Sequence, residues 1–295
     1  MQDNSLRDDR LILGKPVAAA IERRAADESA RLGAGGVVPR LAVVCRGDHG
    51  DAASYRKMIK QRASRTGIVV SEIGLDAEAT HQEVIDVVRQ LNADEAVHAI
   101  LVQNPLPASL RLVVSRELLP AKDVEGLNAT NLGRLILNEP CVPPCTPGAI
   151  LALIQSRMPS LLGKRVVIVN RSATVGRPLS QMLLNARATV TVCSTATVDL
   201  ASEARRAEIL IVAIGQARAF GADYIGEGAV VIDVGINADP TGAGLCGDVD
   251  TEAALSRASA ITPVPGGVGP VTTAVLIENI VLLAKLQQST RESSV

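Results

Sequence analysis

Aromatic side chains are almost absent from this 295-residue chain, which has no Trp, one Phe and two Tyr although 47% of it is hydrophobic. Its cores must therefore be built from Val, Ile, Leu and Ala, and the stacked aromatic platform that usually binds single-stranded nucleic acid is nearly unavailable. Long runs of one charge are missing too. Thirty Lys and Arg against thirty-one Asp and Glu leave a formal charge of −1, so neither a polyanion nor a membrane surface is indicated as partner. The five cysteines (Cys45, Cys141, Cys145, Cys193 and Cys246) contain no Cys-x-x-Cys pair, and the three histidines are too scattered to complete a metal set. Buried thiols in a reducing cytoplasm are the expectation, with no metal. The N-terminal "MQDNSLRDDRLILGK" lacks an apolar signal core, and no stretch reads as the roughly 20 apolar residues of a membrane span.

What is present is a twofold alternation of strand and helix. A helical "KPVAAAIERRAADESARL" and the linker "GAGG" precede the strand "PRLAVVC". A helix holding Tyr55, the strand "GIVVSEIGL", a helix near "HQEVIDVVRQLN" and the strand "AVHAILVQ" follow. Such alternation predicts a parallel sheet covered on both faces. "NPLP" stops it, and the proline-punctuated "NEPCVPPCTPG" over 138–148 marks a hinge. The pattern restarts with "RVVIVN" at 165–170, then "PLSQMLLNA", "ATVTV", "DLASEARRA", "EILIVAIG" and "AVVIDVG". A long apolar helix from Val271 to about Gln287 closes the chain and is expected to return to the first domain. The fold class is thus α/β with two domains: an N-terminal α/β substrate domain over 1–145 plus the helix in 271–295, and a Rossmann-like nucleotide-binding domain over 146–270.

Three loops carry chemistry. "VVIVNRSATVGRP" joins a buried strand to a helix, the setting in which backbone N–H groups hold a pyrophosphate. Only Gly176 of the usual glycines is there, and Asn170 stands at the first position, where its tolerance of left-handed backbone angles preserves a tight turn. Alone, this loop is equally a plain strand–helix connection. The next strand ends "VTVCSTAT" with no acidic residue before Asp199, and Arg171 and Ser194 are available to hold a 2′-phosphate, which favours NADP over NAD. Arg171 also reads as a solvated loop cation. In "PGGVGP", Gly266, Gly267 and Gly269 let backbone approach a flat ligand while Pro265 and Pro270 restrict the loop; a structural turn is the bland alternative. Gln103 lies at a strand's carboxyl end, where open α/β sheets bind ligands.

"PCTPGAI", "VGINADPTGAGLCGDVD", "ITPVPGGVGPVTTAVLIEN", "ILVQNPLP" and "KDVEG", in that company, resemble the bifunctional methylenetetrahydrofolate dehydrogenase/methenyltetrahydrofolate cyclohydrolase family over almost the whole chain. The resemblance implies tetrahydrofolate substrates, NADP, a homodimer, and a cleft between domains where cofactor and substrate meet. It also implies site residues. Tyr55, Gln103 and Glu125 are the catalytic candidates; Tyr55, Ile59, Gln103, Pro105, Leu106, Glu125, Pro265, Gly266, Gly267, Pro270 and Thr273 are expected to bind substrate. Thr146, Asn170, Arg171, Ser172, Val175, Gly176, Ser194, Ala213, Ile214, Gly215, Gly235, Ile236, Asp248, Gly269 and Thr273 are expected to bind the cofactor.

The departures matter as much. The family carries Tyr-x-x-x-Lys on the first-domain helix, its lysine assisting hydrolysis; here the tyrosine is Tyr55 and the lysine's place is Ile59. On a helix, position i+4 lies about 40° from Tyr55, whereas Lys57 and Lys60 lie about 160° and 140° away. Arg62 returns to the Tyr55 face roughly 10 Å along the axis, but a guanidinium does not deprotonate. Tyr55 has no evident partner to lower its pKa. Glu125 replaces the family's aspartate and brings an extra methylene, while Asp123 is retained; His98, Ala99 and Asn104 are further departures, His98 reading as a strand residue. Hydride transfer from 5,10-methylenetetrahydrofolate moves no proton, whereas hydrolysis of the methenyl product does. The expectation is an NADP-dependent dehydrogenase with cyclohydrolase activity lost or weak. A complete bifunctional enzyme and a folate-binding paralogue without turnover are the alternatives.

Overall fold

A computed structural model of the chain describes residues 9–47, 50–242 and 244–292, without the side chains of Asp51 and Glu292. The chain divides into two compact units. One comprises Ala20–Cys145 with the residues from Thr273 onward, and the other the residues up to Ala19 with Thr146–Thr272.

In the first unit, β1 (Arg40–Arg46) is continuously apolar and buried from Leu41 to Cys45, the signature of a strand covered on both faces. It pairs in parallel with β2 (Val69–Leu75) on one side and β3 (Ala99–Val102) on the other, Leu41 standing opposite both Val70 and Ala99. The intervening helices are α2 (Gly50–Arg65) and α3 (His81–Ala93). A capping box starts α3: Thr80 Oγ1 accepts from the Glu83 N–H (3.3 Å) and the Glu83 carboxylate accepts from the Thr80 N–H (2.7 Å). The buried stripe Val84, Ile85, Val88 and Leu91 then faces the sheet at helical spacing.

At the other end of α3, the ammonium of Lys122 donates to the carbonyls of Leu91 (2.8 Å) and Asp94 (2.7 Å), satisfying groups that a helix terminus leaves open. Burial holds the Lys122 pKa below its ordinary value. Beside it, the Asp123 carboxylate accepts from the Asn128 N–H (2.7 Å) and the Asn131 amide (3.0 Å). These two residues brace the segment that carries Glu125.

Two helices here go beyond the sequence reading, which took "NPLP" and the prolines after it as interruptions: α4 (Ala108–Glu117) and α5 (Ala129–Ile136). Pro107 ends the strand region and at the same time stands as N-cap of α4, while Asn128 caps α5 through its side-chain oxygen. Helix α6 (Cys145–Arg157) likewise begins inside the proline-punctuated stretch and from Thr146 onward belongs to the second unit.

The second unit contains β4 (Arg165–Val169), α7 (Gly176–Asn185), β5 (Thr189–Cys193), α8 (Leu200–Arg205), β6 (Ile209–Val212) and β7 (Val230–Asp233). A short hairpin of β8 (Asn237–Ala238) and β9 (Leu245–Cys246), the one-turn α9 (Thr251–Ala254) and β10 (Ala260–Ile261) follow. Its sheet is parallel, in the order β10-β7-β6-β4-β5. The reading that kept 1–145 together differs at the N-terminus, because Arg10–Gly14 pairs with the segment after β10. The Ile12 N–H donates to the Ile261 carbonyl (2.8 Å), the Ile261 N–H to Arg10 (2.9 Å) and the Gly14 N–H to Gly266 (2.8 Å). Those backbone groups extend the sheet edge.

Helix α1 (Gly14–Ala34) runs on into the first unit, as does α10 (Val268–Glu292), which starts three residues before the expected Val271. By length and composition α10 is apolar enough to cross a bilayer, with a mean hydropathy of 1.5, contrary to the sequence reading. Yet 67% of that window is buried inside the protein, which identifies it as a core helix. Its polar residues tie it down within the first unit: Glu278 pairs with Arg24 (3.0 Å), Lys285 with Glu28 (2.7 Å), and Asn279 donates to the carbonyls of Val124 (2.9 Å) and Pro143 (3.0 Å).

Replacing Lys122 by Met keeps its stem but takes the ammonium from the Leu91 carbonyl and leaves the Asp94 carbonyl with only the Val97 N–H (3.1 Å). We expect Lys122→Met to lower unfolding free energy by about 2–3 kcal/mol, read as a shifted urea midpoint with unchanged slope.

Candidate active site

In a three-stranded parallel sheet the chain leaves β1 toward one edge and reaches β3 at the other, so the loops at their carboxyl ends diverge and leave a crevice. A cavity of about 500 Å³ occupies that position. Ala52, Tyr55, Leu101, Val102, Gln103, Asn104, Pro105 and Glu125 line it. Three of these are the sequence's catalytic candidates, brought together from α2, the end of β3 and the loop after Asp123. Leu106, expected to touch substrate, instead packs into the apolar core with Leu110 and Val114.

Tyr55 projects from the middle of α2, and its hydroxyl shares a hydrogen bond with the buried Thr273 of α10. Thr273 is the partner that the sequence did not reveal. The bond does not make Tyr55 acidic: burial, aided by Cys145 and Glu125, pushes its pKa well above the ordinary phenol value, outweighing Thr273 and Arg62. One turn further on, Ile59 is 0% exposed and belongs to the core rather than the cavity wall. Arg62 is paired with Glu22 (3.0 Å). Lys60 is exposed and paired with Glu72 (2.8 Å), Lys57 is exposed, and Lys122 and Lys285 are engaged as described. Among the described residues no ammonium lines the cavity.

Gln103 is 8% exposed and held at both ends of its amide. Its Nε2 donates to the Ala52 carbonyl (2.8 Å), and its Oε1 accepts from Arg56 (3.0 Å), a residue that the sequence reading passed over. Glu125, half-buried, faces the cavity. Loss of hydration and the neighbouring Asp123 push its pKa up to about 7, so near neutrality it is poised between acid and carboxylate. The following Gly126 has φ +66°, and a Cβ there would stand 2.6 Å from the Val142 carbonyl, so only glycine lets the chain turn away behind Glu125.

In the second unit the chain leaves β4 and β6 in opposite directions, and the two loops at their carboxyl ends are joined by Asn170. Its Nδ2 donates to the Ala213 carbonyl (2.5 Å), and its Oδ1 accepts from the Ser172 N–H (2.9 Å), the Ser172 hydroxyl (2.8 Å) and the Gly176 N–H (2.9 Å). Asn170 therefore organises the loop by side-chain bonds, its backbone φ not being among the positive values that the sequence argument invoked. Gly176 passes so close that a Cβ would collide with the Asn170 carbonyl. Val175, half-buried, precedes α7 as its N-cap, and Arg171 is exposed.

Nearby, Asp248 is wholly buried and its carboxylate accepts from the N–H groups of Ile214, Gly215 (3.0 Å) and Gln216 (2.8 Å) and from Asn237 (2.9 Å). It shapes the turn after β6 rather than presenting charge. Asp233 does likewise for the next loop, accepting from Gly235 (2.9 Å), Asp248 (3.0 Å) and Val249 (2.8 Å), and burial pushes its pKa to about 6. Ser194 closes a small turn with Thr197 (2.9 Å) at the end of β5, Thr146 is half-buried on α6, and Ile236 is 66% exposed beside the buried Gly235.

The glycine loop splits by role. Gly267 is needed for the chain's own packing, since a Cβ would stand 2.7 Å from both the Pro263 carbonyl and Thr262. Gly266 has φ +112°, while Gly269 has open space before it. Pro265 is exposed and Pro270 half-buried.

Comparison with known proteins settles the kinship. Residues 12–125 match the family described as tetrahydrofolate dehydrogenase/cyclohydrolase, catalytic domain, and residues 144–288 match its NAD(P)-binding domain. The chain belongs to this family. It is 42% identical over 277 residues to the bifunctional protein FolD of Geobacillus thermodenitrificans, covering 94% of this chain and 97% of that one. With FolD of Methanoculleus marisnigri it shares 46% identity over 253 residues, covering 85% and 89%. Among solved structures, the bifunctional FolD of Campylobacter jejuni superposes with a TM-score of 0.90 at 38% identity, over 94% of this chain and 98% of that one. The FolD of Trypanosoma brucei complexed with NADP cofactor and inhibitor gives 0.87 at 35%, over 95% and 98%. The family match thus agrees with the motif resemblance, and the two-domain α/β architecture expected from alternation is the one observed.

Glu125 supplies a pH test. Between its ordinary value of 4.5 and about 7 the folded chain keeps a proton that the unfolded chain releases, so its contribution is full below that window and lost as pH rises through it. Compared with Glu125→Gln, the ligand-free protein should lose on the order of 2–3 kcal/mol between pH 4.5 and 8. Urea midpoints of both proteins across that range check the difference.

Proposed function

We propose that this family member is an NADP-dependent 5,10-methylenetetrahydrofolate dehydrogenase whose methenyl cyclohydrolase activity is lost or very weak. The observation that carries the reading is Ile59: an aliphatic, wholly buried side chain one helical turn past Tyr55, with no ammonium along the cavity wall among the described residues.

The two reactions ask different things of such a pocket. Removing hydride from the methylene carbon needs alignment and an environment tolerant of an amidinium cation, and no proton has to move. Tyr55 supplies a rigid ring face, fixed by Thr273; Glu125 supplies acceptor oxygens for the amino and N–H edge of the pterin; Gln103 and Pro105 close the far side. Where ionised, the Glu125 carboxylate also favours the cationic product. Hydrolysis, in contrast, requires a group that removes a proton from water and returns one to a ring nitrogen. Tyr55, its pKa raised by burial, holds its proton too tightly for that work, and Glu125, the lining group poised near neutrality, is taken up by the amino and N–H edge of the pterin.

For the cofactor, the second unit offers a tight strand–helix loop closed at Gly176, the exposed turn at Gly215, exposed Ile236 and the open space before Gly269, a set that fits a dinucleotide. Arg171 and Ser194 are assigned to the 2′-phosphate, and Thr146, Ala213 and Thr273 to the nicotinamide end. NADP, when bound, supplies the hydride acceptor. We further assign a homodimeric state and a reducing compartment, the latter suiting five cysteines that form no disulfide among the described residues, four of them buried and Cys141 half-buried.

Full bifunctionality is the second reading, favoured by the names of the relatives at 42% and 46% identity. Purified protein given methylenetetrahydrofolate and NADP should produce NADPH, with the methenyl absorbance then decaying no faster than without enzyme. Enzymatic decay would establish the bifunctional reading instead. In Ile59→Lys we expect hydrolysis to rise at least tenfold while the rate of NADPH formation stays within about threefold; no gain in hydrolysis would mean that the missing lysine is not the limiting change.

A further inference from the structure

The Arg56–Gln103 contact has no place in the reasoning that picked out Tyr55, Gln103 and Glu125, and it decides which chemical face Gln103 shows. Ala52 and Arg56 are four residues apart on α2 and so lie on one face of that helix, about 60° and about 100° around from Tyr55. Gln103 spans them. Its Nε2 donates to the Ala52 carbonyl at 2.8 Å and its Oε1 accepts from Arg56 Nη1 at 3.0 Å. The two anchors are chemically one-sided, since a backbone carbonyl only accepts and a guanidinium only donates. Flipping the amide would set two donors together at one end and two acceptors at the other, so a single orientation survives.

The lone pair left on Oε1 faces the Cys45 thiol, 3.6 Å away, while Nε2 retains a second N–H beyond the one given to Ala52. Arg56 is itself steadied by Glu72, whose carboxylate stands 3.9 Å from Arg56 Nε and also holds Lys60 at 2.8 Å, and its side chain is 12% exposed. A charged group so enclosed has few alternative positions.

We propose that Arg56 is a positioning residue that locks the Gln103 amide so that a hydrogen-bond donor, not an acceptor, faces the cavity, where it meets the ring carbonyl of the bound pterin. The ligand assignment rests on the folate reading above; the lock does not. A carboxylate at Glu125 and an amide N–H at Gln103 on one cavity wall match a pterin, whose carbonyl accepts while its ring N–H and amino group donate.

Two variants and two measurements decide it. Arg56→Met keeps the stem and removes the donor; Arg56→Lys keeps a donor. In the ligand-free protein, the Gln103 side-chain amide protons should be protected from solvent exchange by NMR in the wild type and in Arg56→Lys, and lose most of that protection in Arg56→Met. In the assay, Arg56→Met should raise KM for methylenetetrahydrofolate about tenfold, the value of one hydrogen bond, with kcat and KM for NADP within threefold and the thermal midpoint little changed. Arg56→Lys should restore KM to within threefold. Unchanged exchange protection in Arg56→Met overturns the lock, and unchanged KM, or equal impairment in Arg56→Lys, overturns the donor's role in binding. If wild-type protein makes no NADPH from methylenetetrahydrofolate, the folate reading and the carbonyl partner fail together, while the exchange measurement still decides whether Arg56 holds Gln103.

Discussion

Parallel pairing of β1 with β2 and β3 constrains everything around the cavity, because parallel strands joined by helices deliver all their carboxyl ends to one edge of the sheet. The chain leaves the central strand β1 toward β2 at one edge and reaches β3 at the other, so the loops after β1 and β3 part, and the crevice between them needs no other cause. The same constraint acts in the second unit, where β4 and β6 are neighbours but their following loops diverge. Covering both faces of each sheet demands continuous apolar strands, which is why a chain almost without aromatics folds on Val, Ile, Leu and Ala.

Within the cavity, each polar side chain is held in place by a neighbouring group of the protein. Tyr55 is held by Thr273, Gln103 by Ala52 and Arg56, and the loop carrying Glu125 by Lys122 and Asp123. Such backing reduces the reorganisation that a ligand must impose, and that suits a reaction limited by alignment. Proton transfer asks instead for a group able to change its charge near neutral pH. Of the side chains lining this wall only Glu125 is brought into that range, and it is brought there by dehydration rather than by a basic partner.

The second unit solves a similar problem with carboxylates and an amide. Asp233 and Asp248 gather the N–H groups of successive loops, and Asn170 does the same across the β4–α7 connection. A glycine at position 170 would leave the Gly176 N–H open to a phosphate; here the Asn170 oxygen already accepts from it, so the loop is preorganised with one fewer backbone donor turned outward. Glycines at 176, 235 and 247 then allow backbone to pass within contact distance of these side chains.

From the sequence alone came the alternation of strands and helices, the family, and the trio Tyr55, Gln103 and Glu125, because apolar periodicity and short motifs are local and survive without coordinates. The register that places Ile59 one turn past Tyr55 was equally legible, being simple helical arithmetic. Helices α4 and α5 were not, since proline both ends one element and begins another and only packing decides which. Nor were the partners: Thr273 lies more than two hundred residues from Tyr55, Arg56 lies 47 residues from Gln103, and the pairing of Arg10–Gly14 beside β10 joins opposite ends of the chain. The sequence determined which chemical groups the protein owns; tertiary structure decided which of them are dehydrated and what they face, because both depend on contacts between residues that no local pattern brings together.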